Sequence, residues 1–214
     1  MYSLHLQHID AAFRLIREHL WLFPKTYRKK VALADTIYVA CMNGRWEAFR
    51  KNSNKAKFKW DDQLTDYAKG DTNNFQRGWE EVDEVYYPLN IGSNHRVLVQ
   101  IDLPTHMLTV YDSDQTLYND ARVEEAMRPM MKMLPYYLLS PSIKATKSFS
   151  SKQSVFSFSA RAYHWLLKDL LCGAALTHEF LTSFRSYPGF LGILVNLGTS
   201  PSVLGIGELP ISRS

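Results

Sequence analysis

The sequence is poor in cysteine and has no long apolar run. Its 214 residues contain two cysteines, Cys41 and Cys172, which are too few for the disulfide framework of a small extracellular domain or for a zinc site built from four thiolates. No run of about 18 apolar residues occurs, which excludes a membrane-spanning helix. Residues 1–10 hold no basic stretch followed by an apolar core, so we expect no secretory signal. These absences predict a protein of a reducing, intracellular compartment, the nucleus or the cytoplasm.

Charge and serine are distributed unevenly along the chain. Residues 1–140 hold 18 of the 25 Lys and Arg and 18 of the 21 Asp and Glu, whereas residues 141–214 hold 7 basic and 3 acidic side chains and carry the whole net charge of +4. Serine rises from 5 residues to 13 between the same two parts. We therefore predict a well-formed domain at 1–140 and a divergent segment at 141–214. The small basic excess forms no stripe, so it predicts neither a nucleic acid nor a membrane as partner, and the oligomeric state stays open.

Hydrophobic spacing predicts several helices in the first region. Apolar residues at helical intervals predict a helix over residues 8–22. Residues 31–42 fit a strand or a helix, and the polar stretch 43–71 fits one or two short helices with long connections. From Arg122 onward, the hydrophobic spacing predicts a helix that is bent by Pro129 and stopped by Pro135.

The strongest strand signals lie in the middle of the chain. Residues 85–87 predict a short strand that Pro88 stops, and alternating residues at 97–102 and 107–111 predict a β-hairpin. A further helix is plausible over residues 163–184. The order of a first helix, a hairpin and later helices predicts an α+β fold.

His95 has the setting most typical of a catalytic residue among the seven histidines. It opens one predicted strand, and Asp112 closes the next. If the loop between the strands has an even number of residues, Asp102 pairs with Met107, and His95 and Asp112 project from the same face as near-diagonal neighbours. A carboxylate beside an imidazole fixes its tautomer and stabilises the imidazolium, as in triads that activate a nucleophile. The alternative is an ordinary strand-end histidine and a turn-starting aspartate, which a one-residue bulge would separate.

Cys172 is the candidate nucleophile. It stands before Gly173 inside a predicted helix, 60 residues after Asp112. A thiolate near a helix N-terminus and an imidazolium has a depressed pKa and is strongly nucleophilic. The alternative is an inert cysteine of an apolar core. Cys41 lies in an apolar run with no histidine nearby in the sequence, so we assign it to core packing.

A family resemblance is carried by the stretch from Trp79 to Asp114, which reads WEEVDEVYYPLNIGSNHRVLVQIDLPTHMLTVYDSD. It resembles the central motif of the ubiquitin-like-protein proteases, the SUMO-deconjugating cysteine peptidases. That motif reads Asp-x-Val/Ile-Tyr-x-Pro-Ile-Asn, then His-Trp, Ile-Asp-Leu and Val-Tyr-Asp-Ser. Upstream, HIDAAFRLIREHLWLFPKTY and WDDQLTDYAKG resemble the plant branch of these proteases, so the resemblance covers roughly residues 1–140.

The resemblance implies a papain-like α+β fold and a Cys-His-Asp triad that cleaves peptide or isopeptide bonds after the Gly-Gly terminus of a ubiquitin-like modifier. His95 would be the general base and acid, Asp112 would orient it, and Cys172 would be the nucleophile. The implied partner is a SUMO-type modifier or its conjugates. No metal or organic cofactor is implied.

The sequence departs from the family pattern at three places. Leu171 stands where the family has the aspartate of its Asp-Cys-Gly motif. The family also has an oxyanion-hole glutamine a few residues before the cysteine, whereas the nearest upstream glutamine here, Gln153, is 19 residues before Cys172. Arg96 stands where the family has the tryptophan that lies over the substrate's glycines. These departures favour a second reading, in which the chain is a catalytically inactive family member that binds the modifier or acts as an interaction module.

Overall fold

The computed structural model describes residues 4–25, 29–92, 94–112, 114–143 and 156–162. The chain divides into two compact units, Met1–Tyr163 and His164–Ser214, and every described residue lies in the first. The helix expected at 163–184 and the candidate nucleophile Cys172 lie outside the described residues. Within the described part of the chain, no helix is long and apolar enough to cross a membrane.

Four α-helices and five strands make up the described part of the chain. In chain order they are α1 (Leu4–Leu22), β1 (Val31–Leu33), α2 (Thr36–Lys51), α3 (Asp62–Lys69), β2 (Glu84–Ile91), β3 (His95–Asp102), β4 (Met107–Tyr111), α4 (Asp120–Leu138) and β5 (Ser157–Ala162). The strands form one sheet in the order β1-β2-β3-β4-β5. β2, β3 and β4 pair antiparallel to one another. β1 pairs parallel to β2, and β5 pairs parallel to β4. The predicted α+β class is confirmed.

The hydrophobic core is rich in large aromatic side chains. α2 and α4 pack against each other, and both contact β2. The large, fully buried side chains of the core include Trp79, Tyr38, Tyr87, Tyr137 and Met127. Because these rings anchor the helices to β2, the central strands that follow β2 are held at fixed positions.

Asp35 resolves the ambiguity of residues 31–42. Its carboxylate Oδ1 accepts hydrogen bonds from the backbone N–H groups of Ile37 and Tyr38, at 3.1 and 3.3 Å, and thereby caps α2. The stretch therefore contains both expected elements, with a short strand before the cap and a helix after it. That helix continues past Gly44, so the segment 43–71 holds less loop than expected.

Two prolines do not end their elements, and both expectations were wrong. Pro88 lies inside β2, opposite Leu98 of β3. Since β1 pairs with β2 only up to Tyr86, β2 has a neighbour on one side at Pro88, and a residue without an N–H is tolerated there. Pro135 lies inside α4, which continues to Leu138. The last turn of α4 is buried, and this packing compensates for the hydrogen bond that the proline removes.

A buried arginine fastens α1 to the rest of the fold. Arg17 donates from Nη1 to the Leu33 carbonyl at 3.4 Å and to Gln76 Oε1 at 2.8 Å, and it lies 3.6 Å from Asp35 Oδ2. Its guanidinium therefore joins α1, β1 and the cap of α2 in one polar cluster. No sequence pattern predicts this contact, because Arg17 is 59 residues from Gln76.

The hairpin has the register that the candidate site requires. β3 and β4 pair with Asp102 opposite Met107 and Leu98 opposite Tyr111, so the condition of an even loop is met. β5 adds a parallel strand beside β4 and was not anticipated. It follows the composition change at residue 140, so the sheet extends past that change. The assignment of residues 141–214 to a divergent segment stays a prediction.

Candidate active site

His95 and Asp112 meet at one end of the hairpin. His95 is the first residue of β3, and Asp112 directly follows β4. The His95 Nε2 atom lies 2.7 Å from Asp112 Oδ1. The predicted juxtaposition of the two side chains is confirmed, and it follows from the pairing of Asp102 with Met107 without a bulge between β3 and β4.

The pair is screened from solvent and has a defined orientation. His95 is 5% exposed and Asp112 is 0% exposed. A carboxylate accepts hydrogen bonds, so Nε2 carries the proton of the neutral imidazole. The Nε2–H group donates a hydrogen bond to Asp112. This tautomer leaves Nδ1 as the basic nitrogen, and within the described residues Nδ1 makes no hydrogen bond. The geometry can therefore take up a proton at Nδ1 and stabilise the resulting imidazolium through Asp112.

The segment after Asp112 holds its carboxylate in place. The backbone N–H of Asp114 donates to Asp112 Oδ1 at 2.9 Å. Asp114 itself accepts from the hydroxyl and the N–H of Thr116, at 2.5 and 3.1 Å. These two bonds, together with the nearby charge of His95, lower the pKa of the exposed Asp114 carboxyl. A second carboxylate thus remains ionised in the segment that follows Asp112.

A tight turn delivers His95 to the site. Gly92 has φ +66°, a conformation that glycine adopts without steric cost. The Tyr118 hydroxyl occupies the space that a β-carbon on Gly92 would need. The same hydroxyl donates to Asn94 Oδ1 at 2.7 Å. Gly92 is therefore required twice, once for its backbone angle and once for the approach of Tyr118.

Replacing Gly92 with alanine is expected to lower the free energy of unfolding by about 2 kcal/mol, because the new methyl group adds steric overlap to an unfavourable φ. Gly44→Ala is the matched control. Gly44 lies inside α2 with open space around its β-carbon position, so we expect a gain of about 0.5–1 kcal/mol there. Urea unfolding measures both. Equal effects at the two positions would contradict this account of the turn.

Of the two cysteines, the described part of the chain includes Cys41 alone. Cys172 lies outside the described residues. Cys41 lies on α2, packed against the core as expected, with its Sγ 3.3 Å from Gln63 Oε1. Burial, and secondarily the charge of Asp61, raises the pKa of the Cys41 thiol. A raised pKa makes a thiol a poor nucleophile at neutral pH.

Arg96 and the segment 114–118 add features that the sequence did not reveal. Arg96 is half-buried on β3, and its Nε is a buried donor with no hydrogen-bond partner within the described residues. Asp114 and Tyr118 lie in the loop after β4, and loop residues give no periodic signal. In the described ranges, no group of three His, Cys, Asp or Glu side chains could hold a metal ion.

Comparisons with known proteins point to one family. A family model described as the Ulp1 protease family, C-terminal catalytic domain, matches residues 2–166. No curated protein matches the sequence significantly.

Solved structures of the SUMO protease Ulp1 are among those similar to this chain. One, with its catalytic cysteine oxidised to a sulfonic acid, is 12% identical with a TM-score of 0.40 and covers 74% of this chain. This chain spans 62% of that structure's length. A sulfinic acid form is also 12% identical, with a TM-score of 0.43, and the match covers 86% of this chain and 77% of the other. The C-terminal Ulp1 protease domain in complex with Smt3, the yeast ortholog of SUMO, is 12% identical with a TM-score of 0.39, covering 75% and 64%.

Proposed function

The chain belongs to the Ulp1 protease family, and from this premise we propose that it is a cysteine peptidase that cleaves peptide or isopeptide bonds at the C-terminus of a SUMO-type modifier. One observation carries the proposal: the buried contact of 2.7 Å between His95 Nε2 and Asp112 Oδ1. In nucleophile-activating triads, a buried carboxylate at the far nitrogen orients the general-base histidine and stabilises its imidazolium.

In the proposed reaction, Cys172 supplies the nucleophile. Its thiol transfers a proton to His95 Nδ1, and the thiolate attacks the carbonyl carbon of the scissile bond. As that C–N bond breaks, the imidazolium gives its proton to the departing amine, and an acyl-thioester remains. Water then loses a proton to His95 and attacks the thioester, which releases the modifier's carboxyl terminus and restores the thiol. Asp112 keeps its charge throughout and stabilises each imidazolium.

In this mechanism, the catalytic residues come from both sides of the composition change at residue 140. Residues 1–140 would supply His95 and Asp112, and residues 141–214 would supply Cys172. The scissile bond would follow the two glycines of the modifier, whose lack of side chains permits a close approach to the thiol.

A second function is a family member that binds the modifier without cutting it. Leu171 and Arg96 favour it, since the family's aspartate and tryptophan are missing at these positions. Loss of an oxyanion donor alone lowers rates about 10²–10³-fold. The binding surface can persist when such residues are lost.

Hydrolysis of a SUMO-type modifier that carries a fluorogenic amide at its C-terminus separates the two functions. The peptidase releases the fluorophore, and Cys172→Ala abolishes release while Cys41→Ala retains it. Ubiquitin with the same fluorophore tests specificity. Binding of the modifier without release supports the interaction module, and absence of both binding and release overturns both functions.

We further propose that the protein acts inside the cell, in the nucleus or the cytoplasm, because a catalytic thiol must stay reduced. A fluorescent fusion imaged with nuclear and secretory markers tests this location. Co-localisation with the secretory marker would overturn it.

A further inference from the structure

Tyr118 contacts His95 and the turn that precedes it. It lies in the loop between β4 and α4, six residues after Asp112. Its ring centroid is 6.0 Å from that of His95, with the ring planes inclined by 40°. Its hydroxyl reaches back to Asn94, the residue before His95.

These contacts connect the same two segments that the pair connects. The β2–β3 turn delivers His95, and the loop after β4 delivers Asp112. Between these segments, the bond from Nε2 to Oδ1 is one link. The bond from the Tyr118 hydroxyl to Asn94 Oδ1 is a second link between them.

The turn and the tyrosine fit each other closely. The hydroxyl fills the space beside Gly92 that any other residue would occupy with its β-carbon. Tyr118 is also the one ring that contacts His95 in the described part of the chain. A ring beside an imidazole limits its rotation about χ2, which is otherwise broad.

We infer that Tyr118 is a positioning residue, which holds the His95 ring in the orientation that donates Nε2–H to Asp112 and leaves Nδ1 available. Its relevance to catalysis rests on the proposed function. The ring orientation itself does not depend on turnover, and it is therefore measured without substrate.

Proton exchange at the His95 ring tests the inference. Uniformly ¹⁵N-labelled protein gives the Nε2–H resonance, whose hydrogen bond to Asp112 slows its exchange with water. In Tyr118→Phe the hydroxyl is lost and the ring is kept, and we expect this proton to exchange about five-fold faster, the factor typical of one lost hydrogen bond. Asn94→Ala removes the acceptor and is expected to have the same effect. The double variant is expected to be no worse than either single variant, since all three lack the same bond.

Tyr136→Phe is the matched control. The Tyr136 hydroxyl lies on α4, 38% of the residue is exposed, and it makes no hydrogen bond within the described residues. Its loss is expected to leave the Nε2–H exchange unchanged. Backbone amide exchange at the centre of β3 reports global opening, and Nε2–H exchange that is faster than global opening allows in every variant shows that the ring is released locally. A Nε2–H exchange rate equal to wild type in both Tyr118→Phe and Asn94→Ala would overturn the inference.

Kinetics provide a separate readout. Where the wild-type chain hydrolyses the modifier substrate, Tyr118→Phe is expected to lower kcat about five-fold with KM unchanged, because the base is displaced while substrate contacts remain. An inactive wild-type chain would count against the proposed peptidase and would leave the exchange measurement to decide the role of Tyr118.

Discussion

Replacing His95 with alanine is expected to lower kcat/KM for the modifier substrate by about 10⁴-fold. The proposed mechanism uses His95 Nδ1 in every step: it accepts the thiol proton, protonates the departing amine and activates the water. A methyl group can do none of these. The loss is expected in kcat, since the imidazole is 5% exposed and offers little surface to a bound substrate.

His106→Asn is the control for this experiment. His106 lies in the turn at the opposite end of the hairpin, with φ +57°, and asparagine tolerates that backbone conformation well. We expect its kcat/KM to stay within about two-fold of wild type, since it takes no part in the transition state. Comparable losses at His95 and His106 would show that the hairpin, and not the imidazole at its active end, limits the rate.

Removing the carboxylate of Asp112 is expected to have the second largest effect. Asp112→Ala leaves His95 buried without the acceptor that fixes its tautomer, and we expect kcat to fall about 10³-fold. Asp112→Asn keeps an oxygen that can accept from both His95 and the Asp114 N–H. Because papain-like enzymes use an asparagine in this role, we expect Asp112→Asn to lose about ten-fold only.

The order of the two Asp112 variants distinguishes orientation from charge. If the carboxylate acts mainly by its charge, kcat falls as far in Asp112→Asn as in Asp112→Ala. If it acts by orienting the ring, the asparagine variant retains most of the rate. Urea unfolding of both variants shows whether a loss of rate reflects a loss of fold.

The sequence placed the two residues of the pair only on a condition. Alternation at 97–102 and 107–111 predicted the hairpin, with Pro104 in its turn, but left open whether the loop is even or a bulge separates the pair. Since side chains on a strand have a period of two, an even loop places His95 and Asp112 on the same face. The structure has this even register.

Other features could not be predicted from the sequence, because they depend on contacts between residues that are distant in the chain. Proline locally favours the end of a strand or helix. In the structure, Pro88 nevertheless lies inside β2 and Pro135 inside α4, because of the packing around them. Strand β5 contains serine and alanine, which have weak strand propensity, and it forms by pairing with β4. Tyr118 is 24 residues from Asn94, and no spacing rule connects them.

The position of the thiol is the central claim, and an electrophilic probe tests it most directly. A SUMO-type modifier with a C-terminal vinyl ester would react with the wild-type chain, and peptide mass spectrometry would locate the adduct. The account predicts an adduct on Cys172, lost in Cys172→Ala and strongly slowed in His95→Ala. An adduct on Cys41, or an unmodified wild-type chain, would contradict it.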